Sequence, residues 1–103
     1  MELKVERWEG SLPPAEVELR GIYRREGLNP YPWSNAPGDT YAAHSHSYDK
    51  VIYVVRGSIT WLLPDLKREI ETHAGDRLEL PRGVVHAARV GDQGVTCLEA
   101  HIN

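Results

Sequence analysis

Three of the five histidines stand at spacings that could place them around one metal ion. His44 and His46 are two residues apart in a stretch, 39–46, that is predicted to be a β-strand. Because successive strand side chains alternate between two faces, both imidazoles would point the same way. His86 begins another predicted strand and could approach from the opposite side. Three imidazoles suit a divalent transition metal ion, although a lone His-x-His pair is more often a half-exposed strand surface.

The elements that must position these histidines are mostly short strands. Imperfect alternation in the first ten residues predicts an edge strand. Ser11 is a candidate cap for a helix over 13–26, with Leu19 and Tyr23 on its apolar face. Turn signals then separate seven candidate strands, at 39–46, 50–56, 58–63, 67–73, 77–80, 84–90 and 94–102. Their spacing of about ten residues predicts an all-β antiparallel sandwich or small barrel.

Composition limits the class of protein and its partners. The 103 residues, 41% hydrophobic and 26% charged, predict one folded domain over 1–103, with the strand and helix in 1–27 and a barrel in 30–102. Fifteen acidic residues against twelve basic ones argue against a nucleic-acid partner. A single cysteine, Cys97, excludes an internal disulfide and fits a reducing compartment. With no apolar run long enough for a membrane span and no signal-peptide pattern, we expect a cytoplasmic location and no membrane partner.

Two glycine- and histidine-containing segments resemble the paired motifs of the cupin family. The segment from Gly38 to Gly57 is similar to G-x5-H-x-H-x3-4-E-x6-G, and the segment from Gly75 to Val90 is similar to G-x5-P-x-G-x2-H-x3-N. All but two of the fixed positions agree. The resemblance implies an antiparallel cupin, or jelly-roll, barrel with one N-terminal helix. It also implies His44, His46 and His86 as metal ligands.

Lys50 stands where the first motif has glutamate, the usual fourth metal ligand. Asp49 is adjacent but would face the other side of the strand unless the chain is irregular near Tyr48. Residues 44, 46 and 50 share strand parity, so Lys50 is expected to point into the same cavity as the histidines. Its amine could become neutral and approach the metal, or swing aside and leave a three-histidine site. Otherwise the site holds no metal and forms a basic pocket for an anionic ligand.

These features predict a small-molecule-binding cupin with a three-histidine site for Fe, Mn, Ni or Zn. A metal-dependent enzyme of dioxygenase or isomerase type would use Lys50 to bind negative charge on the substrate. The alternatives are a metal-free, non-catalytic ligand-binding or sensing cupin, and a barrel whose histidines are only retained polar core. An apolar edge at Leu3, Val5 and Trp8 predicts a homodimer.

The other polar candidates are expected to be structural. His73 ends a charged strand and is expected on the solvated surface, and His101 is expected at a terminal edge. Cys97 is expected to be a small buried residue, because nothing in the sequence marks it as an activated nucleophile.

The aromatic residues are expected to serve packing. Trp33 and Trp61 could wall a ligand pocket, but such residues in a small domain usually belong to the core or to a subunit interface. Alternation places Tyr41 and Tyr53 on the face opposite the histidines, where a second layer or a subunit would cover them.

Overall fold

The chain folds as strands wound around two long central ones. In a computed structural model that describes residues 1–103, the elements in chain order are β1 (Lys4–Glu6), α1 (Glu16–Arg25), β2 (Tyr31–Asn35), β3 (Thr40–His44), β4 (Asp49–Leu63), a 3-10 turn (Pro64–Leu66), β5 (Arg68–His73), β6 (Arg77–Leu80) and β7 (His86–Ile102). All strand pairings are antiparallel, in the order β1-β6-β4-β7-β2, with β3 on β7 and β5 on β4. The antiparallel all-β architecture with one helix agrees with the sequence prediction.

Strands β4 and β7 pair along most of their length and bend together. The pairing runs from Asp49 opposite Ile102 to Leu62 opposite Ala87. The first part of β4 also pairs with β6 and its last part with β5, while β7 pairs with β3 near its start and β2 further along. The predicted strands 50–56 and 58–63 are therefore one bent strand, as are 84–90 and 94–102. Each long strand therefore pairs with one short strand along its first half and with another along its second half.

The bend of β4 lies at Gly57. The pairing with β7 shifts register on both sides of this residue. Gly57 has φ of +81°, and a Cβ atom there would lie 2.0 Å from the carbonyl oxygen of Gly94. Only glycine fits this close crossing. The shift also exchanges which residues face inward, from Ile52 and Val54 before the bend to Ile59 and Trp61 after it.

Two apolar clusters lie on opposite sides of the sheet. The barrel interior holds twelve buried residues, including Ile52, Leu78 and Cys97. A second cluster of seven lies between the outer face of the sheet and α1. Lys50 has the parity of Ile52 and lies on the interior side of β4, where it is 9% exposed. None of the helices is long and apolar enough to cross a membrane.

The helix begins later than predicted. Ala15, in extended conformation, precedes Glu16 at the start of α1, so the expectation that Ser11 is the cap is wrong. Proline disfavours helical geometry in the residue before it, so Pro13 and Pro14 keep the preceding residues out of the helix. The predicted apolar face is correct, because Leu19 and Tyr23 are fully buried against the sheet.

Candidate metal centre and adjoining cavity

The three predicted histidines come together at one end of the barrel. His44 ends β3 and lies directly opposite His86 at the start of β7, with the ring centroids 4.4 Å apart. His46 follows just outside β3, with its centroid 4.7 Å from that of His44. One potential ligand atom from each residue lies within 4.8 Å of the other two. The cluster therefore depends on the β3–β7 pairing rather than on strand alternation alone, since the strand ends before His46.

Backbone contacts orient two of the imidazoles. Nδ1 of His44 lies 2.7 Å from the carbonyl oxygen of Ala42, and Nδ1 of His86 lies 2.9 Å from that of Val84. A carbonyl oxygen only accepts hydrogen bonds, so each Nδ1 carries the hydrogen. In the neutral ring, the Nε2 lone pair is then free. This is the usual arrangement of metal-ligating histidines, whose other nitrogen donates to a carbonyl or carboxylate.

The third imidazole has a buried nitrogen without a partner. Nε2 of His46 is inaccessible to solvent and makes no hydrogen bond. Burial, followed by the charge of Lys50, lowers the pKa of His46 to about 4. Burial also lowers the pKa of His86. Both rings are thus neutral at pH 7, the form that binds metals. An orphaned buried nitrogen beside two oriented imidazoles fits a divalent transition metal ion.

A cavity of about 290 Å³ adjoins the histidines. It is lined mainly by aromatic and charged or ionisable side chains. The lining residues are Tyr31, Trp33, Tyr41, His44, Lys50, Trp61, His86, Ala88 and Glu99.

Lys50 and Glu99 form a buried ion pair in this cavity. Lys50 Nζ lies 3.3 Å from Glu99 Oε2, and their side chains are 11% and 6% exposed. Glu99 was not among the site residues predicted from the sequence. Glu99 has the same strand alternation as Val95 and Cys97, which face the interior. This alternation could have indicated a site residue, because a carboxylate at a core-facing position needs partners. Asp49 lies elsewhere and accepts a hydrogen bond from the Arg82 backbone at 2.8 Å.

Glu99 is held by several donors. Tyr31 donates to its Oε2 at 2.7 Å, and Trp33 Nε1 donates to its Oε1 at 3.1 Å. Nε2 of His101 lies 2.6 Å from Oε2. Burial by itself would raise the pKa of Glu99, but the bonds from Tyr31 and His101 and the charge of Lys50 outweigh it and lower the pKa. The carboxylate is therefore ionised at neutral pH.

More of the aromatic residues line the cavity than the sequence predicted. Trp33 and Trp61 both line it, although Trp61 also belongs to the interior core. The expectation that Tyr41 faces away from the histidines is wrong, because the β3–β7 register shifts between Tyr41 and His44. Tyr53 does lie on the outer face, in edge-to-face contact with Tyr23 of the helix at 5.4 Å.

The remaining candidate residues lie on the surface, in the core and beside the histidine cluster. His73 is exposed and pairs with Glu71 on the surface, as predicted. Cys97 is fully buried, and burial raises the pKa of its thiol. His101 lies beyond the part of β7 that pairs with β2 and is paired only with Lys50 of β4, as expected of a terminal edge position. Its ring stacks on Tyr48 at 4.1 Å, and Tyr48 stacks on His46 at 5.0 Å.

A barrel built on β4 and β7, with one histidine at the end of β3, a second just after it and a third at the start of β7, defines a cupin. The Cupin_2 family model, described as a cupin domain, matches residues 33–100. The chain belongs to this family. A comparison with curated protein sequences gives no match.

Solved structures with the same fold include proteins of different kinds. A DUF861 family protein from Thermotoga maritima is 15% identical, with a TM-score of 0.66 over 98% of this chain and 100% of that one. The polyketide cyclase RemF from Streptomyces resistomycificus is 27% identical, with a TM-score of 0.64 over 74% of this chain and 55% of RemF. The DMSP lyase DddQ from Ruegeria pomeroyi is 22% identical, with a TM-score of 0.66 over 74% of this chain and 38% of DddQ. This chain therefore corresponds to only part of the last two proteins.

Proposed function

We propose that this cupin is a metal-dependent enzyme acting on a small organic molecule in the cavity beside His44, His46 and His86. The observation that carries the proposal is the hydrogen bonding of the ring nitrogens in the three histidines. Two have Nδ1 tied to backbone carbonyl oxygens, and the third has a buried Nε2 with no partner. A histidine cluster serving only the core would leave that nitrogen unsatisfied at a cost of about 1–3 kcal/mol.

Glu99 weakens the main argument against a metal, which is the positive charge of Lys50. The carboxylate lies 3.3 Å from the ammonium, so the pair has no net charge toward the histidines. When bound, the ion supplies Lewis acidity and open coordination positions, the chemistry of isomerase- and dioxygenase-type enzymes. The histidines hold the ion, and the aromatic cavity walls exclude water from a bound molecule.

The structural likeness to RemF supports an enzyme. RemF is a polyketide cyclase, and it shares 27% identity over 74% of this chain. The alternative is a metal-free ligand-binding cupin, which is favoured by the lysine at the position of the motif glutamate.

Metal analysis of protein purified without a histidine tag tests the proposal. After chelation and reloading with Mn(II), Fe(II), Ni(II) or Zn(II), we expect close to one ion per chain and a raised melting temperature. The His86→Ala variant should lose most of the bound metal and the temperature shift. The matched control, His73→Ala, removes an exposed histidine distant from the site and should retain both. Equal metal content in the His86→Ala variant and the wild type would contradict the proposal and favour the metal-free alternative.

A further inference from the structure

We propose that Lys50 is the anion-binding residue of the cavity and that its ligand is a flat aromatic or conjugated anion of one or two rings. The inference rests on the proposed function for the other end of the ligand, which would face the histidines. It does not depend on metal for the anionic end.

The Lys50 ammonium has unused hydrogen-bond donors in a buried place. It carries three N–H donors, and the structure gives it one partner, Glu99 Oε2 at 3.3 Å. That carboxylate is already occupied by Tyr31 and His101 at 2.7 and 2.6 Å. Glu99 therefore holds the ammonium in place without satisfying it. An anionic oxygen entering the cavity would supply the missing acceptor.

The polar atoms of the four aromatic side chains around the cavity are already engaged within the protein. The Trp33 indole donates to Glu99, and the Trp61 indole donates to Thr72 Oγ1 at 3.1 Å. The Tyr31 and Tyr41 hydroxyls are bound to Glu99 and Asn35. The four side chains therefore offer a ligand their ring surfaces, which favour a flat π-system between them.

The size and charge of the cavity narrow the class of ligand further. The cavity volume of about 290 Å³ is roughly twice the ~150 Å³ that holds one benzene molecule, so it suits one or two rings. Lys50 and Glu99 cancel in charge. A divalent cation would make the cavity net positive, and even without it only Lys50 has free charged donors. Both states favour an anion over a neutral or cationic ligand.

Titration calorimetry with three small probes tests the inference. The probes are 2-naphthoate, its neutral analogue 2-naphthamide, and hexanoate, which has the charge but no ring. We expect the wild type to bind 2-naphthoate at least about tenfold more tightly than either of the others. Equal affinity for naphthoate and naphthamide would overturn the role of Lys50. Equal affinity for naphthoate and hexanoate would overturn the aromatic class.

Variants assign the preference to Lys50. Lys50→Met should remove the preference for naphthoate over naphthamide, and Lys4→Met, which removes an exposed lysine, should keep it. If Lys50→Met alone does not fold because Glu99 is left unpaired, the neutral double variant Lys50→Met/Glu99→Gln makes the same test. A preference retained in whichever variant folds overturns the inference.

Repeating the titrations after chelation separates this inference from the proposed function. A carboxylate preference that persists in chelated wild-type protein and disappears with Lys50→Met supports Lys50 as the anchor, even if no metal binds. A preference that disappears on chelation would assign the anion to the metal ion instead. That result would overturn the role of Lys50 while leaving the metal site in place.

Discussion

Lys50 and Glu99 form an ion pair inside the barrel, with Nζ 3.3 Å from Oε2 and both side chains about nine-tenths buried. The two residues stand on neighbouring strands, β4 and β7. The lysine occupies the position at which the first cupin motif has a carboxylate, and this chain holds a carboxylate on the facing strand instead. The local charge is therefore balanced by tertiary contact.

Removing the charge of Lys50 should strengthen metal binding. In Lys50→Met, the ionised Glu99 is no longer neutralised, so the site becomes more attractive to a divalent cation. We expect the affinity for Mn(II) or Ni(II) to rise at least about tenfold, which corresponds to about 1.4 kcal/mol. Titration calorimetry on chelated protein measures it, with Lys4→Met as the control for general charge. Unchanged affinity would mean that the charge of Lys50 does not affect metal binding at the histidines.

Removing the charge of Glu99 should destabilise the fold in a pH-dependent way. Glu99→Gln leaves the buried ammonium unpaired, and we expect the free energy of unfolding at pH 7 to fall by about 3 kcal/mol. The pKa of Glu99 in the folded protein lies below its ordinary value of 4.5. Its ionisation therefore stabilises the fold above that value, and this contribution is lost as pH falls through the folded pKa.

Urea unfolding at several pH values measures this effect. The difference between wild type and Glu99→Gln should shrink as pH falls below 4.5 and through the lowered pKa of Glu99 in the folded protein, because the wild-type carboxyl then also becomes neutral. The double variant Lys50→Met/Glu99→Gln should recover most of the lost stability, because no buried charge is left alone. A difference that is constant with pH would show that Glu99 contributes through packing instead.

A methyl group at the bend of β4 should disrupt the barrel. Gly57→Ala places Cβ 2.0 Å from the Gly94 carbonyl oxygen at a φ of +81°. Gly83→Ala is the matched control, since Gly83 has a similar φ of +78° and no atom within 4 Å of the added Cβ. The control should lose about 1–2 kcal/mol from backbone strain alone. Gly57→Ala should lose clearly more or fail to fold, and equal losses would contradict the close crossing.

The free edge of β1 should support a homodimer. This strand pairs with β6 on one side and ends the strand order of the sheet. Its other side presents unpaired backbone groups that a second copy could use. Light scattering at micromolar concentration should therefore give twice the chain mass of 11.6 kDa. A mass equal to that of one chain would contradict the prediction.

The sequence determined the fold class and the candidate ligands, because both depend on local patterns. Glycines at tight turns and alternating strands predict an antiparallel barrel, and the resemblance to the cupin motifs implies that His44, His46 and His86 lie together. The helix and its buried face were also predictable, since apolar residues recur at helical spacing. The metal assignment itself stays a prediction, and so does the role of Lys50.

Only the tertiary structure decided what surrounds the histidines. Glu99 pairs with Lys50 across 49 residues of chain, and Tyr31 reaches Glu99 across 68. No local pattern encodes such contacts, because they depend on the register between β4, β7 and β2. Parity arguments also failed for Tyr41, where one register shift turns the side chain to the other face. A β-bulge is hardly visible in the local sequence, yet it decides which side chains line the cavity.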